Sequence, residues 1–154
     1  MKRRMFLQAG IAAGQIAIAA KAGLFWPVAV IAADWPADTF FATSFEDAVA
    51  ALFADEPVEE SEHVQLEAKD IAEDGASVPI LVRTDLTGPL TMTLFSVNNP
   101  TPAVGRFELS PQLGGYLATR VKMAKTGDVV AVVTADGRHY SARRHILVTA
   151  GGCG

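Results

Sequence analysis

The residue best suited to covalent chemistry is Cys153, which is the only cysteine of the chain and its penultimate residue. A thiol in an apolar core is inert, whereas an exposed thiol can ionise and react. No charged side chain adjoins Cys153, so nothing local is expected to lower the pKa of its thiol. This favours a thiol that is modified in the active site of another protein over a nucleophile that activates itself.

Three glycines surround this cysteine: Gly151, Gly152 and Gly154. They remove side-chain bulk and free the backbone. If the last strand ends near Thr149, five residues at about 3.3–3.6 Å each give an arm of roughly 16–18 Å. We therefore expect residues 150–154 to form a flexible arm that presents the thiol. The alternative is a frayed end without function, because chain termini tolerate many sequences.

The rest of the sequence shows no catalytic motif: there is no GxSxG, no glycine-rich phosphate loop and no HExxH. The histidines His63, His139 and His145 fall in separate segments, so we expect no metal site and no resident cofactor. Arg143 and Arg144 are interpreted as a solvated pair rather than an anion clamp. A thiol enzyme acting alone would lack a general base and is disfavoured.

The N-terminal segment has the order of an export signal, with basic residues followed by an apolar, alanine-rich run to residue 33. Arg3 and Arg4, followed by Met5, Phe6 and Leu7, match a twin-arginine motif. We predict a signal over residues 1–33 that is cleaved, which places the mature chain in the periplasm. The alternative is a retained membrane anchor, although Gln, Lys and Pro residues interrupt the apolar run.

Charge and compartment narrow the possible roles. Removal of residues 1–33 takes away four basic residues and no acidic ones, so 9 basic and 17 acidic residues remain, a formal charge of −8. Such a domain is a poor partner for nucleic acid or anionic lipid. The acidic stretch Asp55–Glu62 is interpreted as a solvated linker, with a partner-facing role as the alternative. A single cysteine in an oxidising compartment indicates either an intersubunit disulfide or a working thiol.

The mature chain from residue 34 to 149 is predicted to be one all-β domain with an N-terminal helix. After an irregular lead-in over Asp34–Thr43, Ser44 reads as an N-cap for a helix to about Ala54. About seven short strands at ten-residue spacing indicate a β-sandwich. They are predicted at residues 64–68, Ser77–Thr84, Leu90–Val97, Val104–Leu109 and Tyr116–Met123, and on either side of an Asp136–Gly137 hairpin turn, with a bulge within Ser141–Arg144.

Several segments in order, together with the twin-arginine signal, make the whole chain similar to the SoxY family of the periplasmic thiosulfate-oxidising system. They are IAEDGASVP (Ile71–Pro79), NNPTP (Asn98–Pro102), TRVKMAKTGDVVAV (Thr119–Val132) and the terminal GGCG (Gly151–Gly154). The resemblance implies an Ig-like antiparallel sandwich and a heterodimer with a SoxZ-like subunit. It also implies that Cys153 holds sulfur intermediates covalently and that the chain itself catalyses nothing.

The same resemblance implies the enzymes that act on Cys153. A c-type cytochrome couples thiosulfate to the thiol, a dimanganese thiosulfohydrolase releases sulfate, and a sulfur dehydrogenase oxidises the remaining sulfane. The sequence departs from the family pattern in one respect, because a single glycine follows the cysteine where the family has two. The alternative function is an Ig-like interaction module that forms an intersubunit disulfide through Cys153.

Overall fold

The computed structural model describes residues 36–54 and 56–149. The predicted export signal over residues 1–33 and the predicted arm over residues 150–154 lie outside this part of the chain. In the described residues, no helix is long and apolar enough to cross a membrane.

Two helices come first, α1 (Ala37–Phe41) and α2 (Phe45–Phe53). Helix α2 is the predicted one, and its N-cap is confirmed: the hydroxyl of Ser44 accepts a hydrogen bond from the backbone N–H of Asp47 at 3.0 Å. The sequence does not predict helix α1, because it falls within the lead-in Asp34–Thr43. Its five residues are too few to show helical periodicity.

The strands form two sheets, and all seven predicted strands are present. The strands are β1 (Val58–Glu60), β2 (Val64–Glu67), β3 (Ile71–Ala72), β4 (Val78–Thr84), β5 (Leu90–Ser96), β6 (Ala103–Leu109), β7 (Tyr116–Val121), β8 (Gly127–Ala135) and β9 (Arg138–Val148). A short 3₁₀ helix, Pro111–Leu113, precedes β7. The large sheet has the order β1-β9-β8-β5-β6, with β3 also paired to β9, and the small sheet has the order β2-β4-β7.

Strands β1 and β3 were missed. Both pair in parallel with β9, at opposite ends of it, whereas the other strand pairs are antiparallel. Two or three residues cannot show the alternation that marks a strand, and each exists here because β9 is available to pair with it. The acidic stretch interpreted as a linker therefore contributes an edge strand at Val58–Glu60.

The hairpin between β8 and β9 forms as predicted, with Asp136 and Gly137 both at positive φ (49° and 74°). The predicted bulge within Ser141–Arg144 is wrong, because β9 keeps a continuous register with β8 from Arg138 to Ile146. Within this span Arg143 pairs with the carboxylate of Asp128 and Arg144 with that of Asp70. The register shift in the large sheet lies between Leu94 and Phe95, where β5 meets β6.

Two apolar layers hold these elements together. The first lies between the sheets and includes Val82, Met92 and Val133. The second lies on the outer face of the large sheet, where α2 covers Phe95, Val130 and Val132 with its own Ala48 and Phe53. The ring of Phe45 meets Phe95 edge-on at 5.5 Å between centroids. The expected sandwich preceded by a helix is confirmed.

Candidate functional site

The predicted functional residues Cys153, Gly151, Gly152, Gly154, Arg3 and Arg4 lie outside the described residues. The structure does describe the place where the chain departs toward Cys153, since its last described residue there is Thr149. This end of the sandwich contains the termini of β5, β7 and β9 and the start of β4, β6 and β8. We call it the exit end.

Strand β3 holds the last residues of β9 by a parallel pairing in which Ile71 opposes Leu147 and Ala72 opposes Val148. The backbone N–H of Leu147 donates to the carbonyl of Asp70 at 2.8 Å, and that of Thr149 donates to the carbonyl of Ala72 at 3.0 Å. The chain is therefore hydrogen-bonded to β3 up to Thr149, four residues before Cys153.

The side chain of Thr126 also holds the end of β9, on the side opposite to β3. The backbone N–H of Val148 donates to the hydroxyl oxygen of Thr126 at 2.9 Å, and this hydroxyl lies 3.4 Å from the carbonyl of Val148. The hydroxyl of Thr149 lies 3.4 Å from the carbonyl of Glu73. Together with β3, these bonds fix the position and direction of the backbone at its exit.

The two adjacent asparagines link separate loops at this end. The side-chain amide of Asn98 donates to the carbonyl of Thr126 at 2.8 Å. Asn99 donates to the carbonyl of Lys122 at 2.7 Å and accepts from the backbone N–H of Ala124 at 2.8 Å. Both asparagines belong to the NNPTP segment, whose sequence by itself indicates a local turn. In the structure they also hold the loop over residues 122–126, which contains the threonine that holds β9.

The loop after β3 is tied to the same loop. The backbone N–H of Met123 donates to the carbonyl of Gly75 at 2.7 Å. The carboxylate of Asp74 accepts from the N–H of Ala76 at 2.8 Å, a local turn of the kind aspartate favours. The three internal segments that carried the family resemblance therefore meet at the exit end, a convergence that their positions in the sequence do not reveal.

One carboxylate at the exit end pairs with both a histidine and an arginine. Asp128, at the start of β8, accepts from Nδ1 of His145 at 2.7 Å and from Nη1 of Arg143 at 2.9 Å. The hydrogen bond from His145, and then that from Arg143 with the charges of both, hold the pKa of Asp128 below its ordinary value, although partial burial opposes this. Arg144 pairs with Asp70, the residue before β3. Both arginines are thus ion-paired, neither solvated alone nor forming an anion clamp together.

The other two histidines lie elsewhere. His63 pairs with Asp85 at 2.8 Å near the opposite end of the sandwich. His139 is 9% exposed, packs on Phe53 and lies 2.7 Å from Glu56, so it ties α2 and the segment after it to β9. In the part of the chain that the structure describes, no three histidine, cysteine or acidic side chains are grouped so as to hold a metal ion.

A shallow groove of about 810 Å³ lies on the outer face of the small sheet. Its lining includes Leu81, Ala118 and Tyr116, with Glu67 and Arg120 among its charged residues. The lining residues include no histidine and no cysteine.

Comparison with known proteins identifies the relatives of this chain. A family model described as "Sulfur oxidation protein SoxY" matches residues 49–153. The solved structure of the sulfur carrier protein SoxY from Chlorobium limicola f thiosulfatophilum is 39% identical, with a TM-score of 0.60, and the match covers 68% of this chain and 96% of that one. A superoxide reductase (neelaredoxin) from Ignicoccus hospitalis is 15% identical, with a TM-score of 0.47 over 56% of this chain and 80% of its own. That likeness carries no functional argument. No protein of curated function matches the sequence.

Proposed function

The chain belongs to the SoxY family, and from that premise we propose that it is the sulfur carrier of a thiosulfate-oxidising system, with Cys153 as the attachment point. The family match runs through residue 153 and so includes the cysteine together with almost all of the sandwich. The match favours this function over the alternative of an interaction module that forms an intersubunit disulfide.

The observation that carries the assignment of Cys153 is the anchored exit of the chain. Strand β3 and Thr126 hold the backbone to Thr149, and the sole cysteine follows four residues later among glycines. A carrier needs this combination, because a fixed base limits the volume in which the thiol is found while the glycines allow it to enter an enzyme.

The loading step is an oxidation for which the chain itself supplies only the thiol. The Cys153 thiol and thiosulfate form a sulfur–sulfur bond, releasing one proton and two electrons, which the partner c-type cytochrome accepts. Water then cleaves the terminal sulfonate as sulfate at the dimanganese thiosulfohydrolase and leaves a persulfide on Cys153. A sulfur dehydrogenase is the proposed oxidant of that sulfane. Each intermediate is a disulfide-like species, so an added thiol reduces it off the protein.

The proposed setting is the periplasm, where the chain pairs with a SoxZ-like subunit. The twin-arginine motif at Arg3 and Arg4 supports export in the folded state. Replacing both arginines with lysine in the native host is expected to leave the protein in the cytoplasm with its signal uncleaved. Export of this variant at the normal level would contradict the twin-arginine route.

Intact-mass measurement tests the carrier role. The purified heterodimer is incubated with thiosulfate and the cytochrome, and a covalent adduct that dithiothreitol removes is expected on this chain. Cys153→Ala is expected to form none, and Cys153→Ser is the matched isosteric control. Absence of an adduct on the wild-type chain while the cytochrome is active, or an adduct on both variants, would refute the proposal.

A further inference from the structure

Two exposed aliphatic side chains lie side by side at the exit end. Ile71 of β3 is 54% exposed and Leu147 of β9 is 45% exposed, although both lie within strands of the large sheet. They are direct partners in the parallel ladder, so their side chains lie on the same face of it. Their neighbours Ala72 and Val148 turn toward the core between the sheets.

The backbone that carries this apolar pair is hydrogen-bonded on both sides. The backbone at Leu147 is hydrogen-bonded to Asp70, and the residues on either side of the pair are held by the bonds to Ala72 and Thr126 described above. Polar groups border it: Asp70 pairs with Arg144, and His145 pairs with Asp128. An apolar centre with a polar rim is the usual composition of a protein contact surface.

The distance from this pair to Cys153 limits what can cover it. Cys153 is four residue steps beyond Thr149, so their Cα atoms lie at most about 13–14 Å apart. An enzyme that encloses the thiol must therefore bring its own surface to the exit end. Leu147 lies only two residues before Thr149, and Ile71 lies beside it, so both side chains are within reach of that surface.

We propose that Ile71 and Leu147 form the docking contact for the rim of the channel through which a partner enzyme receives Cys153, and that this rim is apolar. The inference rests on the proposed carrier function. It adds a second recognition element, outside the arm, that all enzymes acting on Cys153 share. Such a contact is small and therefore suits a transient complex that must release the carrier after each step.

The test compares Ile71→Thr and Leu147→Thr with a matched control, Leu113→Thr. Threonine is polar, and its β-branched shape suits a strand. Leu113 is 58% exposed and lies in the 3₁₀ helix before β7, at the opposite end of the sandwich. Each heterodimer is assayed for loading by the cytochrome with thiosulfate, and Cys153 is titrated separately with a small-molecule thiol reagent.

Each exit-end variant is expected to raise the KM of the cytochrome for the carrier by about 10-fold, the effect of losing one buried aliphatic contact, with kcat unchanged. The rate with the small reagent is expected to stay at the wild-type value, as are both constants of Leu113→Thr. Ile71→Leu, which keeps the apolar surface, is expected to restore the KM.

Three results would overturn the inference. One is an unchanged KM for the Ile71→Thr and Leu147→Thr double variant that folds and loads. Another is a KM effect with the cytochrome but none with the thiosulfohydrolase. The third is loss of the SoxZ-like subunit from the variants, which would assign the pair to the subunit interface. Failure of the carrier function itself is distinguishable, because the wild-type chain would then form no adduct.

Discussion

Gly127 lies directly against the side chain of Asn98: a Cβ atom at residue 127 would stand 2.9 Å from Cγ of Asn98 and closer still to its amide nitrogen. The contact joins the loop after β5 to the start of β8, where the same amide donates to the carbonyl of Thr126. Glycine at this position is therefore a requirement of close approach between two segments, not of backbone conformation.

Gly127→Ala should displace the Asn98 amide and break its bond to Thr126. We expect the free energy of unfolding to fall by about 1–3 kcal/mol, the usual cost of overpacking. Denaturant unfolding measures this. In an Asn98→Ala background most of the penalty should disappear, because the amide that makes the two shortest contacts is gone and only the Cβ, at 3.0 Å, remains. An equal penalty in both backgrounds would show that the strain lies elsewhere.

Asn99→Ala should destabilise the exit end because it leaves the carbonyl of Lys122 and the N–H of Ala124 without their side-chain partner. The expected loss is about 1–3 kcal/mol in the free energy of unfolding. Asn99→Asp keeps the acceptor for Ala124 but removes the donor to Lys122, so it should also destabilise the protein.

The control for this pair is Gln112→Glu, which makes the same change of an amide to a carboxylate at an exposed position of the 3₁₀ helix. It should shift the free energy of unfolding by less than about 0.5 kcal/mol. If Asn99→Asp changes the free energy of unfolding no more than this control does, the bond to Lys122 does not stabilise the protein.

Thr126→Val tests the side-chain bond that holds the end of β9. Valine has nearly the same shape but cannot accept from the N–H of Val148. If the free energy of local opening falls by about 1 kcal/mol, hydrogen exchange at Val148 and its neighbours becomes about 5- to 10-fold faster. Amides in the middle of β8, such as those of Ala131 and Val132, should change much less. Uniform acceleration across both regions would indicate global destabilisation instead.

Asp128 should make the stability of the protein depend on pH in the acid range. Because its pKa is lower in the folded state, its contribution is present above the ordinary aspartate pKa of about 3.9 and is lost as the pH falls toward the folded pKa. The wild type should exceed Asp128→Asn by about 1–2 kcal/mol at pH 6, and the difference should shrink below about pH 4. A stability difference that grows on acidification would contradict a lowered pKa of Asp128 in the folded state. Glu108→Gln, at an exposed position of β6, is the control.

The sequence alone was sufficient for most of the sheet framework. Alternation of apolar and polar residues in some strands, and runs of β-branched and bulky apolar residues in others, identified all seven longer strands. Asp136–Gly137 identified the hairpin, and all of these signals are local properties of the chain. Strands β1 and β3 left no such signal, since each is stabilised by pairing with a strand more than 70 residues away in the sequence. The bulge predicted in β9 failed because interrupted alternation can also reflect ion pairing.

The candidate site, too, is predicted only in part by the sequence. Cys153 and its glycines are evident from the sequence, because a lone thiol among residues without side chains indicates covalent chemistry on an accessible chain segment. Only the tertiary structure shows that Thr126, Asn99 and β3 brace the chain up to Thr149, and that Ile71 and Leu147 lie exposed beside that exit. Hydrogen bonds and apolar pairs between segments far apart in the chain depend on how the sheets pack, and no local pattern encodes them.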